Sequence, residues 1–260
     1  MPRSVPNRQI RRLLEEGVCV VPDVLSPAET RHARDALLEA VAAYRAHGGE
    51  TFMPVLDPND RNVRVFNLLE HHPAFRQLIL HPTATALVEA LLGEHWMISN
   101  FTANIALPGS GSMALHSDQA LVAPEPWLAP WSMNVIWCLD DVYEANGATR
   151  YLPGSQQFRS RADLPVSARA DTRAFEAPAG SILAMDGRVW HTSGANVTGN
   201  AQRALLFGYY SLDFLRPQVN WNAVLSDPVQ CGLGGELRER LGLGPAANVR
   251  HAAEILGDPV

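Results

Sequence analysis

From Trp96 onward the chain breaks into short runs rich in β-branched and aromatic residues, at 96–107, 132–139, 148–152, 174–177, 181–186 and 203–212. Gly, Pro and Asn bound these runs, and segments of this length and punctuation have the spacing of an antiparallel sandwich or barrel. The first third reads as helical. Ile10, Leu13 and Leu14 recur at helical spacing, Gly17 stops that helix, and Val18 to Val21 form a short buried strand. Ser26-Pro27-Ala28-Glu29 is a capping box with Pro at the first helical position. The helix it opens can present Ala33, Leu37, Ala40, Val41 and Tyr44 as one stripe before His47-Gly48-Gly49 ends it. A turn-rich loop at 54–62, an extended stretch at 63–67 and two short helices around 74–80 and 83–92 follow. The tail from Arg216 is loop-like, with helical stretches near 235–241 and 248–256. With no internal repeat or linker, residues 1–260 are expected to form a single domain: a helical N-terminal region at 1–93, a β core at about 94–215 and a tail at 216–260.

Composition narrows the chemistry. The chain has 260 residues, 47% of them hydrophobic, enough for one large domain that buries roughly 70–75% of its unfolded surface. Every basic residue is Arg and Lys is absent, which removes Schiff-base chemistry, a phosphate-binding P-loop lysine and a Ser-Lys pair. A net charge of −6, a pI near 5.8 and no basic tract give no footprint for a polyanion, so no nucleic-acid partner is expected. Cys19, Cys138 and Cys231 are odd in number and far apart, against a disulfide framework or a thiolate zinc site. No apolar run reaches ~18 residues and the N-terminal stretch lacks an uninterrupted apolar segment. The expectation is a soluble, cytoplasmic protein with no membrane partner.

Two of the nine histidines stand out by their neighbours. His116-Ser117-Asp118 follows a strand-like segment and a Gly-rich turn. In an extended chain residues i and i+2 share a face, so this imidazole and carboxylate can bind one metal side by side. His191 comes from a distant apolar strand and turn, Ser181 to Asn196. Two His and one carboxylate on one side of a metal leave the other side open, which suits ferrous iron that must also bind a cosubstrate and oxygen; zinc would prefer a closed tetrahedron. Arg203 opens the apolar strand Ala204 to Tyr210 with no Asp or Glu near it in sequence. Such a charge needs a partner, and a dicarboxylate would supply one through two parallel hydrogen bonds.

Taken in order, Leu115-His-Ser-Asp-Gln119, Trp137-Cys-Leu-Asp-Asp-Val142, Asn146 to Ser155, Trp190-His-Thr-Ser-Gly194 and Arg203 make the chain resemble the phytanoyl-CoA dioxygenase (PhyH) family of iron- and 2-oxoglutarate-dependent oxygenases. The resemblance runs from about Val18 to about Arg216. It implies a mainly β fold with flanking helices, a double-stranded β-helix (jelly-roll, cupin-like) core carrying the site in its mouth. It also implies His116, Asp118 and His191 as iron ligands and catalytic centre, and Arg203 as the clamp on the far carboxylate of 2-oxoglutarate. Thr149 and Ser193 match positions that offer hydroxyls to that cosubstrate, with Asn104 a further candidate. Met113 departs from the pattern, since several relatives carry Gln there and Met cannot donate a hydrogen bond. Trp127, Trp131, Trp137 and Trp190 read as core or pocket wall, and Phe66 or Trp221 as pocket lining.

The implied reaction couples oxidative decarboxylation of 2-oxoglutarate, with release of succinate and CO2, to oxidation of an unactivated C–H bond. The substrate is expected to be a small apolar or amphipathic molecule, with O2 as the other reactant. A carboxylate at 118 favours hydroxylation over halogenation, because related halogenases vacate that position for halide. The alternative is a cupin-type metal-dependent isomerase or hydrolase without oxygen chemistry. Oligomeric state is open, a homodimer through the helical region or the tail being one expectation.

Overall fold

The computed structural model describes residues 5–243. Along the chain, α1 (Asn7–Glu16), β1 (Val18–Val21), α2 (Pro27–Ala46), β2 (Asn62–Val65), α3 (Leu68–His71), α4 (Pro73–Ile79) and α5 (Pro82–Leu92) precede the main β region. That region comprises β3 (Trp96–Ala106), β4 (Ser132–Cys138), β5 (Thr149–Tyr151), β6 (Arg173–Ala174), β7 (Ile182–Asp186), β8 (His191–Ser193) and β9 (Arg203–Leu212). Short helices α6 (Trp221–Val224), α7 (Asp227–Cys231) and α8 (Gly235–Arg240) follow.

The local signals act as the sequence implies. Glu29 N donates to Ser26 Oγ at 3.3 Å and Ser26 N to Glu29 Oε2 at 2.8 Å, so the box caps α2 reciprocally. Gly17 ends α1 at φ 76°. A side chain there would be strained, and it would also meet Gln156 and Val189 at 2.9 Å.

Two antiparallel sheets face each other in a jelly roll. The larger runs β1-β7-β4-β9-β3-β2 and the smaller β6-β5-β8. Because side chains alternate across a strand, the large sheet has two distinct faces. Val135 and Trp137 of β4, Ala184 of β7, Leu206 of β9 and Phe101 of β3 join Leu37, Phe75, Ile79 and Leu87 of the helices in one apolar cluster, and α5 lies across β3, β4, β7 and β9. The intervening residues Ile136, Cys138, Leu183, Met185 and Leu205 instead pack with Val142, Ala148, Phe175 and Ala177 in a second cluster. Each fully buried aliphatic or aromatic side chain in these clusters contributes roughly 1.5–3 kcal/mol. Toward β2 and β3 the inner face turns polar, with Asn100, Thr102 and Asn104 on alternate positions of β3. That change of character is where the cavity opens.

Several expectations shift. The strand foreseen at 174–177 is only Arg173–Ala174, and Ala177 makes an isolated bridge to Val142. α3, α6 and α7 are too short for a helical period to reveal. Trp221 does not line the cavity: it is buried in the outer core with its Nε1 donating to Ile98 O at 2.7 Å, which pins the tail to β3. The helical stretch foreseen near 248–256 lies outside the described residues. No helix among the described residues is long and apolar enough to cross a membrane.

Candidate active site

Two reciprocal backbone hydrogen bonds, His116 N to His191 O at 2.9 Å and His191 N to His116 O at 2.7 Å, tie the loop after β3 to the start of β8. Ser117 Oγ and Gln119 N both donate to Gly187 O, at 2.9 and 2.8 Å, and fasten the same loop to the turn after β7. Gly187 is required by close approach, since a β-carbon there would lie 2.1 Å from Ser132 Oγ. These ties bring His116, Asp118 and His191 together, with one ligand-capable atom from each within 4.8 Å of the others. Nε2 of each imidazole stands 3.6 Å from one of the two Asp118 oxygens.

The far nitrogens orient the rings. His116 Nδ1 lies 2.9 Å from Ala114 O and His191 Nδ1 lies 3.0 Å from Val189 O. A carbonyl can only accept, so both Nδ1 atoms carry the proton and both Nε2 lone pairs are free to ligate. Burial pulls the His191 pKa below the ordinary imidazole range, outweighing the opposing pull of Asp118, and the ring is neutral at pH 7. Among the described residues no fourth His, Cys, Asp or Glu joins this group. A closed tetrahedral zinc site would want one, whereas a two-His, one-carboxylate set fits a ferrous ion with open positions.

Arg203 is fully buried at the head of β9, with Nη1 donating to Asn104 Oδ1 at 3.1 Å and Nε without any partner. Burial, helped by the neighbouring Arg64 cation, pushes its pKa down to about 10. The carboxylates that partly oppose this shift are engaged elsewhere. Asp140 accepts from Arg34 Nη1 and from Ala204 N, both at 2.9 Å. Asp57 takes a two-pronged bond from Arg64, Nε to Oδ2 at 2.5 Å and Nη2 to Oδ1 at 2.8 Å. A buried cation with an orphaned N–H in a cavity wall is a receptor for an anion. The cavity holds about 190 Å³, several times the roughly 30 Å³ share of one water, and admits an organic acid.

Thr149 and Ser193 face each other across β5 and β8 and both line this cavity. Ser193 Oγ accepts from Met113 N at 3.0 Å. Asn104 lines it as well, but its Oδ1 is taken by Arg203 and its Nδ2 donates to Asn62 Oδ1 at 3.3 Å, so it supports the guanidinium. Met113 Sδ accepts from Arg64 Nη2 at 3.0 Å. Phe66 is in the lining, whereas Trp127, Trp131, Trp137 and Trp190 are not. Sequence reasoning missed Arg64, Asn134 and Tyr209. Asn134 Nδ2 donates to Asp118 Oδ2, and Tyr209 Oη to Asp118 O at 3.3 Å. The available signal was a lone polar residue inside an apolar strand, as in Val63-Arg64-Val65 and Met133-Asn134-Val135.

A jelly roll with two imidazoles, one carboxylate and a buried guanidinium around its mouth has the architecture of a non-haem iron, 2-oxoglutarate-dependent dioxygenase. The sequence profile of the phytanoyl-CoA dioxygenase (PhyH) family matches residues 13–204, and the chain belongs to that family and class of enzyme. Dioxygenase af480 of Aspergillus fumigatus is 50% identical over 231 residues, covering 89% of this chain and 75% of the relative. Dioxygenase trt7 of Aspergillus terreus is 27% identical, covering 78% and 73%. In fold the chain is similar to the non-heme alpha ketoglutarate dependent carbocyclase SnoK from nogalamycin biosynthesis, with a TM-score of 0.67 at 21% identity over 86% and 92% of the two chains. It is likewise similar to EctD from S. alaskensis with bound Fe, with a TM-score of 0.65 at 20% identity over 80% and 77%.

Proposed function

We propose that His116, Asp118 and His191 hold the ferrous ion, that Arg203 grips the far carboxylate of 2-oxoglutarate, and that the enzyme oxidises an unactivated C–H bond of a small apolar or amphipathic substrate. The observation that carries this reading is the pairing, in one cavity, of the three convergent donors with a fully buried guanidinium whose Nε lacks a partner. When bound, the iron and cosubstrate supply the oxidising chemistry, with succinate and CO2 as co-products. The chain's own residues bind, orient and exclude. Arg203 offers paired N–H donors, Asn104 holds it in line, and Thr149 and Ser193 present hydroxyls beside it. Leu56, Phe66, Leu121 and Phe207 give the cavity apolar walls that receive a hydrocarbon body and keep water out. Among the described residues the cations in the lining are Arg203 and Arg64, the latter neutralised by Asp57, which disfavours a phosphate-rich substrate such as an acyl-CoA. In this reading residues 1–260 are one catalytic domain acting in the cytoplasm, without nucleic-acid or membrane partner.

Mixing anaerobic protein with ferrous iron and 2-oxoglutarate should give the weak visible charge-transfer band of the chelate; its absence in a protein shown to bind iron would defeat the assignment. Asp118→Ala should abolish turnover, while Arg203→Ala should chiefly raise the 2-oxoglutarate requirement. Near-complete activity in both variants would count equally against it.

A further inference from the structure

Asn134 sits mid-strand in β4, opposite Met185 of β7 and Tyr209 of β9, and is buried within an otherwise apolar stretch. A buried amide in such a place costs stability unless it is hydrogen-bonded. Its Nδ2 finds Asp118 Oδ2, and because a carboxylate only accepts, the amide can face it one way round. Asp118 needs such a hold. It lies in the bend before the single helical turn Gln119–Leu121, and although its neighbours Ser117 and Gln119 are bonded to Gly187 O, those bonds hold the backbone and not the rotation of the carboxylate. Tyr209 Oη steadies the same residue at its backbone oxygen.

We propose that Asn134 is a positioning residue that makes Asp118 a one-oxygen ligand. The inference rests on the iron-site reading above. His116 and His191 would each give the ion one nitrogen, and the open side that a cosubstrate and oxygen would need is kept only if Asp118 gives a single oxygen. If both Asp118 oxygens turned to the metal, a position needed by a reactant would be lost. Each Asp118 oxygen stands 3.6 Å from one imidazole Nε2, but Oδ2 also carries the Asn134 hydrogen bond, and that difference leaves Oδ1 as the freer donor. Partners of this kind around metal ligands typically change metal affinity by roughly 10–100-fold when removed.

The test uses Co(II) as probe, first alone and then with 2-oxoglutarate, on the full-length protein. Asn134→Leu keeps the branched shape at a somewhat larger volume and deletes the donor, and Asn134→Gln keeps a donor on a longer arm. The Leu variant is expected to bind Co(II) with an affinity changed roughly 10–100-fold and, once saturated with Co(II), to bind 2-oxoglutarate more weakly than the wild type; the Gln variant should recover part of both. A merely structural role would lower the melting temperature of the metal-free protein without moving the 2-oxoglutarate affinity at saturating metal. A folded Leu variant that matches the wild type in both affinities overturns the proposal. If the Leu variant does not fold, Asn134→Ser, whose hydroxyl falls short of Oδ2, is held to the same outcomes. A wild type that takes up no Co(II) overturns the iron-site reading itself, and this proposal with it, a failure distinct from equal affinities in wild type and variant.

Discussion

At the head of β9, Arg203 carries a charge into a strand whose other inward residues are Leu205, Phe207 and Tyr209. Its pKa, lowered from 12.5 to about 10 chiefly by burial, is also a statement about stability. Between these two values the unfolded chain holds a proton that the folded one has released, so stability rises with pH through that window. Below about 10 the full cost persists, on the order of 3 kcal/mol for a shift of this size. The ligand-free protein therefore bears at neutral pH a charge that Asp140, Asp57 and Asn104 offset only in part and that a bound anion would relieve. Arg203→Met, which keeps most of the bulk, should melt no lower than the wild type in calorimetry without ligand. Adding 2-oxoglutarate and metal should raise the wild-type midpoint by more than the variant's. Cosubstrate affinity should hold steady across neutral and mildly alkaline pH, because Arg203 keeps its charge there even with its pKa lowered by burial. A Met variant clearly less stable than wild type would show that the Asn104 bond outweighs the burial cost.

Among the elements, the turn from Asp186 to Trp190 bears most directly on the metal donors. It presents Gly187 O to both Ser117 and Gln119 and delivers His191 to its bridge with His116. Gly187→Ala drives a β-carbon toward Ser132 Oγ at 2.1 Å and Ser132 O at 2.8 Å, an overpacking that costs roughly 1–3 kcal/mol. The expected outcome is a lower melting temperature together with weaker metal binding, read by calorimetry and by Co(II) titration. His116, Asp118, His191 and Arg203, which the structure brings to one cavity, were legible in sequence as local patterns: an HxD pair, a strand-borne His and a charge opening an apolar strand. Arg64 and Asn134 were not. A lone polar residue in an apolar strand marks each as unusual, but which site it joins depends on cross-strand register, Arg64 opposite Asn104 and Asn134 opposite Tyr209, and register is set by long-range pairing that a single strand does not encode. The long elements α2, β3 and β9 were readable from periodicity and capping, while β6 and α6 are too short to carry a period.

At the scale of the molecule, two apolar layers hold the large sheet, one against the helices and one against the small sheet, and neither uses the metal donors. Folding is therefore expected to be complete without metal. Protein treated with a chelator should keep its far-UV dichroism and a single cooperative unfolding transition, and restoring metal should add only a ligand-binding increment, about 2.7 kcal/mol at a hundred times the dissociation constant. Collapse on chelation would show that the donors are part of the core. The backbone bridge between His116 and His191 gives this expectation its meaning. Because two candidate donors from distant parts of the chain are already clasped to each other by main-chain bonds, the entropy of bringing them together is spent during folding and would not be spent again at metallation. On the iron-site reading proposed above, such an enzyme would be a lasting vessel that can be emptied and refilled, its iron content following the supply around it and not the age of the polypeptide.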